Sequence, residues 1–395
     1  MCCIIGQNKF FESEFSLDPF SLYLHIPYCE HKCGYCDFNS HPIKDEQPRD
    51  YPEAILKEIE YAAKNTQPGQ KVTTIFFGGG TPTSLPPEDL ERILMGCFNF
   101  FNVNQDAEIT LEANPGTIMP GYFEHVKSAG FNRVSIGAQS FIPHELELLE
   151  RIHGPEAIGR TVEQAKKEGF DNVSVDLMFA LPNQSLEDWD FSLKQAIALN
   201  PNHISAYNLT IEPKTAFYSY ANSGKITPPD DESQLKLFKH TLKTLAETDY
   251  AKYEISNYAK PGKKCRHNIN YWKNGNYIGL GAGASSYWGG ARRKNINSPT
   301  AYIEQALTTG QALDLEEIPS SLVSMGETMM LGLRLSDGIK LKDFEDRYEV
   351  SLSDQFPDQL QFLKSQNLVT MDEKHIRLSE KGFFLADSVI MEFMP

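Results

Sequence analysis

No run in this 395-residue chain approaches the roughly 20 apolar residues that a membrane-spanning helix needs. The opening Met-Cys-Cys-Ile-Ile-Gly has no charged flank and too short an apolar stretch for a secretory signal. Neither a repeat of fixed period nor a low-complexity tract is present. Cations are the minority: 37 Lys and Arg stand against 53 Asp and Glu, a net charge of −16. A general nucleic-acid binder needs clustered cations to release counterions, so no nucleic-acid partner is expected. The seven cysteines are an odd number spread over a long chain, which does not read as a disulfide framework. A reducing compartment, the cytoplasm, is the expected location. What the chain does have is 41% hydrophobic residues, enough for a large core.

Strand and helix patterns alternate along the first 250 residues. Strands are predicted at 21–26, 72–77, 107–113, 133–138, 172–179 and 203–211, and helices at 52–64, 88–100, 120–129, 156–168 and 186–199. Such alternation implies an α/β fold with right-handed βαβ units and a parallel sheet. The strands are apolar without clean alternation, as expected when both faces are covered. A helix at 230–246 follows. Residues 250–298, rich in Asn, Gly, Tyr and Lys, read as strands and loops. Short helices at 302–307, 322–333, 341–347 and 354–365, a strand pair within 367–379 and a last helix from 380 suggest a winged-helix-like end domain. That end is not basic, so a packing or lid role is expected of it. In parallel α/β folds reactive groups gather at the C-terminal ends of the strands. Tyr23, the glycines at 78–80, Glu112, Gln139, Asp176, Tyr207 and Asn208 all fall at or near those ends.

The sharpest local feature is Cys29-Glu-His-Lys-Cys33-Gly-Tyr35-Cys36. Thiolates are soft ligands for iron–sulfur clusters, zinc or copper(I). Structural zinc takes four ligands, and His25, His31 or His41 could supply the fourth. Three thiolates on one loop can instead hold three irons of a cubane and leave the fourth iron open. A redox pair at Cys33 and Cys36 is a further reading.

The C-x3-C-x2-C spacing with an aromatic before the last cysteine resembles the radical S-adenosylmethionine (SAM) superfamily. The resemblance implies a partial (β/α)6 barrel, a [4Fe-4S] cluster on Cys29, Cys33 and Cys36, and SAM on the open iron. One electron from the cluster then cleaves SAM to a 5′-deoxyadenosyl radical. Further blocks narrow it: Tyr23-Leu-His-Ile-Pro-Tyr-Cys29, Gly78-Gly-Gly-Thr-Pro82, Leu111-Glu-Ala-Asn-Pro115, Gly137-Ala-Gln-Ser-Phe141, Arg151-Ile-His153 and Asp176-Leu-Met-Phe-Ala-Leu-Pro182. Together with Gly279-Leu-Gly281 they resemble the oxygen-independent coproporphyrinogen III oxidase family (HemN/HemW). That resemblance implies SAM contacts from Tyr23, Tyr35, Gly79, Gly80, Thr81, Glu112, Gln139, Arg151 and Asp176, with Thr210 and Ser285 as further positions. Arg151 would pair with the methionine carboxylate, Glu112 with the ammonium, and Gln139 and Asp176 with the ribose hydroxyls. No residue is assigned a catalytic role.

The family holds two functional classes. The true oxidase carries a fourth cysteine two positions after the third, where this chain has Phe38. It also carries an N-terminal extension, and only about twenty residues precede the first strand here. Both features resemble the heme-binding branch, whose members are thought to pass heme to acceptor proteins. His267-Asn-Ile-Asn-Tyr271-Trp272 resembles that branch's HNxxYW block. It makes His267 the candidate heme ligand, with Cys265 as a competitor, and leaves Tyr271 and Trp272 to stack on the macrocycle. The bland alternative is a loop stabilised on the barrel rim. A reductant protein is implied if SAM is cleaved. A homodimer and peripheral contact with a membrane stay open.

Between Glu254 and Glu304 lie 49 residues without an acid, where the chain average predicts about six or seven. The same stretch holds Lys260, Lys263, Lys264, Arg266, Lys273, Arg292, Arg293 and Lys294. Such a surface favours an anionic ligand or partner, and heme carries two propionates. The expected organisation is an N-terminal extension (1–16), the barrel (17–250), the cationic strand and loop segment (251–298) and a C-terminal helical, winged-helix-like domain (299–395).

Overall fold

The computed structural model describes residues 18–43 and 49–395. The N-terminal extension, with Cys2 and Cys3, lies outside the described residues. Six strands form the centre: β1 (Phe20–Ile26), β2 (Lys71–Gly79), β3 (Asn102–Ala113), β4 (Arg133–Gln139), β5 (Val173–Phe179) and β6 (His203–Asn208). Each is hydrogen-bonded in parallel to the next, in sequence order. β1 buries every residue but Tyr23, the pattern of a strand covered on both faces. The return helices are α1 (Tyr51–Ala63), α2 (Pro87–Phe100), α3 (Tyr122–Ala129), α4 (Pro155–Lys167) and α5 (Leu186–Ala198). Proline opens α1, α2 and α4, where its missing N–H costs nothing. On α4, Ile158, Thr161, Val162 and Ala165 are buried, a spacing of three and four that turns one stripe to the sheet. α6 (Asp231–Ala246) follows β6, capped by Asp230.

The segment 251–298 adds to both edges of this sheet. β7 (Ala251–Lys252) and β8 (Asn257–Ala259) extend the β6 edge antiparallel. The chain then crosses the open side as α7 (Arg266–Trp272), so the stretch read as strands and loops contains a helix. β9 (Tyr277–Leu280) pairs in parallel with β1. β10 (Ser285–Trp288), β11 (Ala291–Asn295) and, after α8 (Pro299–Thr309), β12 (Leu313–Glu317) extend that edge antiparallel. The helix went unread because its signal is tertiary. The backbone N–H groups of Arg266 and His267 each donate to Glu108 of β3 at 3.1 Å, which satisfies its first turn from a distant strand.

The C-terminal unit has its own core around Met329, Leu333, Phe344, Leu363, Ile376 and Phe393. It starts with α9 (Ser321–Gly332). A small antiparallel sheet follows, β13 (Ile339–Lys340) beside β15 (His375–Leu378) beside β14 (Val369–Met371). Helices with a small sheet match the winged-helix-like expectation, with β13 as an extra strand. The helix expected at 354–365 breaks at Phe356, where Pro357 starts a new one.

Candidate metal centre and cofactor site

One cavity of about 420 Å³ is lined by Cys29, Cys33 and Cys36 and by residues of β2, β3, β4, β5 and β6. Only a sheet curled into a partial barrel brings β2 and β6 to one cavity. Tyr35, Gly79, Gly80, Thr81, Glu112, Gln139, Arg151, Asp176 and Thr210 all line it. Tyr23 and His267 instead line an adjoining cleft of about 740 Å³, together with Ser285, Tyr277 and Lys294. Gly79 and Glu112 border both.

The cysteine loop is fastened to the glycine loop. Thr81 N donates to the Tyr28 carbonyl at 2.7 Å, and its hydroxyl reaches Cys29 Sγ at 3.4 Å. A Cβ on Gly80 would lie 2.6 Å from the Tyr28 carbonyl oxygen. Gly79 has φ +114°, and a Cβ there would lie 2.6 Å from the His25 ring. The glycines thus serve the packing of one loop on the other as well as any ligand. His25 is locked in turn: Nε2–H donates to the Asn39 carbonyl at 2.8 Å, leaving Nδ1 to accept from the Tyr23 hydroxyl at 3.0 Å. Lys32 donates to the carbonyls of Phe38 and Ser40 and closes the loop behind the cysteines. With its ring nitrogens so engaged, His25 is not a spare ligand. His31 pairs with Glu150 at 2.9 Å and His41 with Asn39 at 3.1 Å.

The donor set fits a cluster better than one ion. A tetrahedral zinc with sulfurs at ~2.3 Å brings them within about 3.8 Å of one another. Among the described residues, the one set of three potential ligand atoms within 4.8 Å is His144, Glu145 and Asp188, and the cysteine trio is not such a set. Burial pushes the Cys29 and Cys33 thiols up from their ordinary range. Arg151 opposes this at Cys33, with Nη1 3.7 Å from Sγ and Nη2 donating to the Gly137 carbonyl at 3.0 Å.

Two carboxylates face the same space. Burial, with Asp176 as a like-charged neighbour, pushes Glu112 up to about 8. Asp176 accepts from Ser135, Ser174 and Ser205 hydroxyls at 2.8, 2.9 and 2.6 Å. Those serines were not singled out in the sequence, although their strand positions point inward beside Asp176. Gln139 sits at a bulge between β4 and β5 with φ +65°. The bulge re-aims its side chain, and Gly137 makes room, since a Cβ there would meet Gln139 Nε2 at 2.9 Å.

His267 is 1% exposed and belongs to the barrel interior. Its Nδ1 is 2.7 Å from the Thr74 hydroxyl, which itself donates to Ser21. Nδ1 therefore carries the proton, and Nε2 accepts from Tyr271 at 2.9 Å. Burial first, then Arg133, lowers this imidazole to about 3. Both nitrogens are occupied, so the expectation of His267 as an iron ligand meets no free lone pair. Tyr271 makes T-shaped contacts with His267 and Tyr277, with ring centroids 4.7 and 4.6 Å apart. Cys265 is fully buried, its thiol pushed up to about 12 by burial, and points at Glu108 at 3.5 Å. Phe38 is 64% exposed beside the cavity.

The cationic stretch is largely neutralised by acids from elsewhere. Lys260 pairs with Asp249, Lys263 with Asp171, Lys264 with Asp337, Arg266 with Asp106, Arg292 with Glu317 and Glu327, and Arg293 with Glu316. Lys273 and Lys294 make no ion pair among the described residues. The single cationic surface expected from composition is therefore not what folds.

Residues 23–196 match the Radical SAM superfamily, and residues 320–385 match the HemN C-terminal domain. The heme chaperone HemW of Bacillus subtilis is 37% identical over 95% of this chain and 99% of its own length. The chain belongs to the HemW family. The Escherichia coli heme chaperone HemW is 46% identical over 68% of this chain and 70% of that one. Among solved structures, coproporphyrinogen III oxidase (HemN) from Escherichia coli, a radical SAM enzyme, superposes with a TM-score of 0.81. It is 26% identical and covers 95% of this chain and 90% of that one. Membership of this family implies a [4Fe-4S] cluster and SAM. Among the described residues, no helix is long and apolar enough to cross a membrane.

Proposed function

We propose that this chain is a heme chaperone that binds heme and passes it to acceptor hemoproteins. Cys29, Cys33 and Cys36 hold a [4Fe-4S] cluster, and SAM occupies the cavity beside them. The observation that carries the reading is the end-to-end similarity to HemW heme chaperones. Phe38 in place of the oxidase's fourth cysteine supports it. Its partners are then heme, acceptor hemoproteins and, where SAM is cleaved, a reductant protein, in the cytoplasm.

When bound, the cluster supplies the single electron for SAM cleavage. The chain's own groups bind and orient. Arg151 is held by the Gly137 carbonyl with its guanidinium at the cavity, placed to meet a carboxylate. Glu112, raised by burial, gives up its proton when an ammonium pairs with it. Asp176, braced by three serines, keeps a fixed direction toward ribose hydroxyls. Tyr35, Gly79, Gly80, Thr81 and Gln139 complete the SAM contacts, with Tyr23 reaching SAM from the adjoining cleft that Gly79 and Glu112 also border.

Titration of the anaerobically purified protein with hemin, paired with an assay for protoporphyrinogen formed from coproporphyrinogen III with SAM and reductant, tests the reading. A shifted Soret band without product is expected. Product formation at oxidase rates would replace the reading with SAM-dependent oxidative decarboxylation.

A further inference from the structure

A second cleft, of about 580 Å³, lies between α7 and the small C-terminal sheet, apart from the cysteine cavity. That volume is within the roughly 300–1,000 Å³ of small-molecule sites. Trp272 and Lys273, at the end of α7, form one wall. Lys340, His375 and Arg377 form the other. Their placement follows from strand geometry. Lys340 is the cross-strand partner of His375, and Arg377 lies two residues further on the same face of β15. Ile376, between them, turns the other way into the C-terminal core.

Three features of this cleft ask for a ligand. Five Lys and Arg side chains line it against two acids, Asp337 and Asp343, in a chain of net charge −16; Lys264 pairs with Asp337, Arg377 pairs with Asp372 at 2.6 Å, and Arg347 is held by the Asn274 carbonyl and the Tyr287 hydroxyl. Lys273 and Lys340 make no ion pair among the described residues, and the His375 ring makes no hydrogen bond there. The Trp272 indole N–H is buried without an acceptor, and the Arg334 guanidinium stacks 4.8 Å from its ring centroid. A flat apolar surface, an unengaged imidazole and a cationic rim together match a planar metal macrocycle with carboxylate arms.

We infer that this cleft between α7 and β15 receives the heme, with His375 as axial ligand and Lys273 and Lys340 at the propionates. The inference rests on the heme-chaperone reading and moves its ligand away from His267. Imidazole is an ordinary axial ligand, and ammonium groups pair with carboxylates. The site also brings heme to the joint between the two units, where Arg347 of the C-terminal unit donates to the Asn274 carbonyl and the Tyr287 hydroxyl.

The test uses the full chain with its cluster, titrated with hemin and with iron-free protoporphyrin IX. His375→Ala should abolish the imidazole-type Soret shift and leave protoporphyrin affinity within about twofold. Lys273→Glu combined with Lys340→Glu should weaken both ligands at least tenfold. Iron content and SAM affinity should stay at the wild-type level in both variants, which confirms that each is folded. Hemin spectra and affinities unchanged in both variants would overturn the inference and leave the chaperone reading standing. Failure of the unsubstituted protein to bind hemin would overturn the chaperone reading itself.

Discussion

The barrel mouth and the 251–298 segment handle charge in opposite ways. At the mouth, Glu112 and Asp176 face a shared cavity and make no ion pair among the described residues. Serine hydroxyls fix Asp176, and burial leaves Glu112 reluctant to ionise. In the segment, six of the eight cations that looked free in the sequence meet acids brought in by other elements. Arg292 and Arg293 of β11, for example, lie opposite Glu317 and Glu316 of β12. An uncompensated charge therefore marks a site only after tertiary pairing is counted. Among the described residues of these two regions, the groups left without an ion pair include Glu112 and Asp176 at the mouth and Lys273 and Lys294 in the segment.

The largest effect expected from this contrast is at the mouth. Replacing Cys29, Cys33 and Cys36 together by Ala should remove all cluster iron, about four atoms per chain. It should also abolish measurable SAM binding, since on the proposed reading the open iron would be its anchor. Iron analysis and calorimetric titration check both. Retention of either would break the assignment of the mouth as the cofactor site.

A smaller effect is expected from pH. Glu112, pushed up to about 8, stays protonated in the fold while the unfolded chain ionises near the ordinary carboxylate value. The native state therefore binds more protons between these values, and stability falls as pH rises through that window. The loss is on the order of a few kcal/mol. Glu58, pushed up to about 7 by burial despite hydrogen bonds from Tyr302, Gly281 and Asn295, acts with the same sign. Glu112→Gln should flatten part of the denaturation-midpoint slope between pH 5 and 8 and leave the Glu58 share. In the same window SAM affinity should rise with pH for the unsubstituted protein and be flat for Glu112→Gln, as measured by calorimetry. An unchanged slope in the variant would remove Glu112 from the titrating groups.

The cysteine loop, the glycine turn and the strand order were legible because each is local. A C-x3-C-x2-C loop after an apolar strand needs no distant partner to be read, and buried parallel strands carry their own composition. Gln139 was legible by motif, but its bulge and positive φ were not, because they arise from register with β5. α7 was missed because its first turn is satisfied by Glu108, over 150 residues away in sequence. For His267 the sequence leaves two readings, a heme ligand or a residue that stabilises a loop on the barrel rim, because the contacts of its nitrogens with Thr74 and Tyr271 are tertiary.

The smallest effect sharpens the other side of the comparison. Lys263 pairs with Asp171 at 3.7 Å, with side chains 30% and 82% exposed. Such a pair gains little in water and loses side-chain freedom, so Lys263→Gln should shift stability by no more than about 0.5 kcal/mol. Arg292 pairs with two acids, and Glu327 beside it is only 15% exposed. Arg292→Gln should therefore cost more, about 1 kcal/mol, because a half-sheltered carboxylate loses its partner and β11 loses a tie to α9. Urea denaturation at low and high salt separates the two. The Lys263 difference should vanish in high salt, and the Arg292 difference should persist, since sheltered pairs are screened less. Equal effects would mean that the segment's ion pairs are interchangeable surface contacts, and that pairing alone does not distinguish charges that hold the fold from charges left over for a ligand.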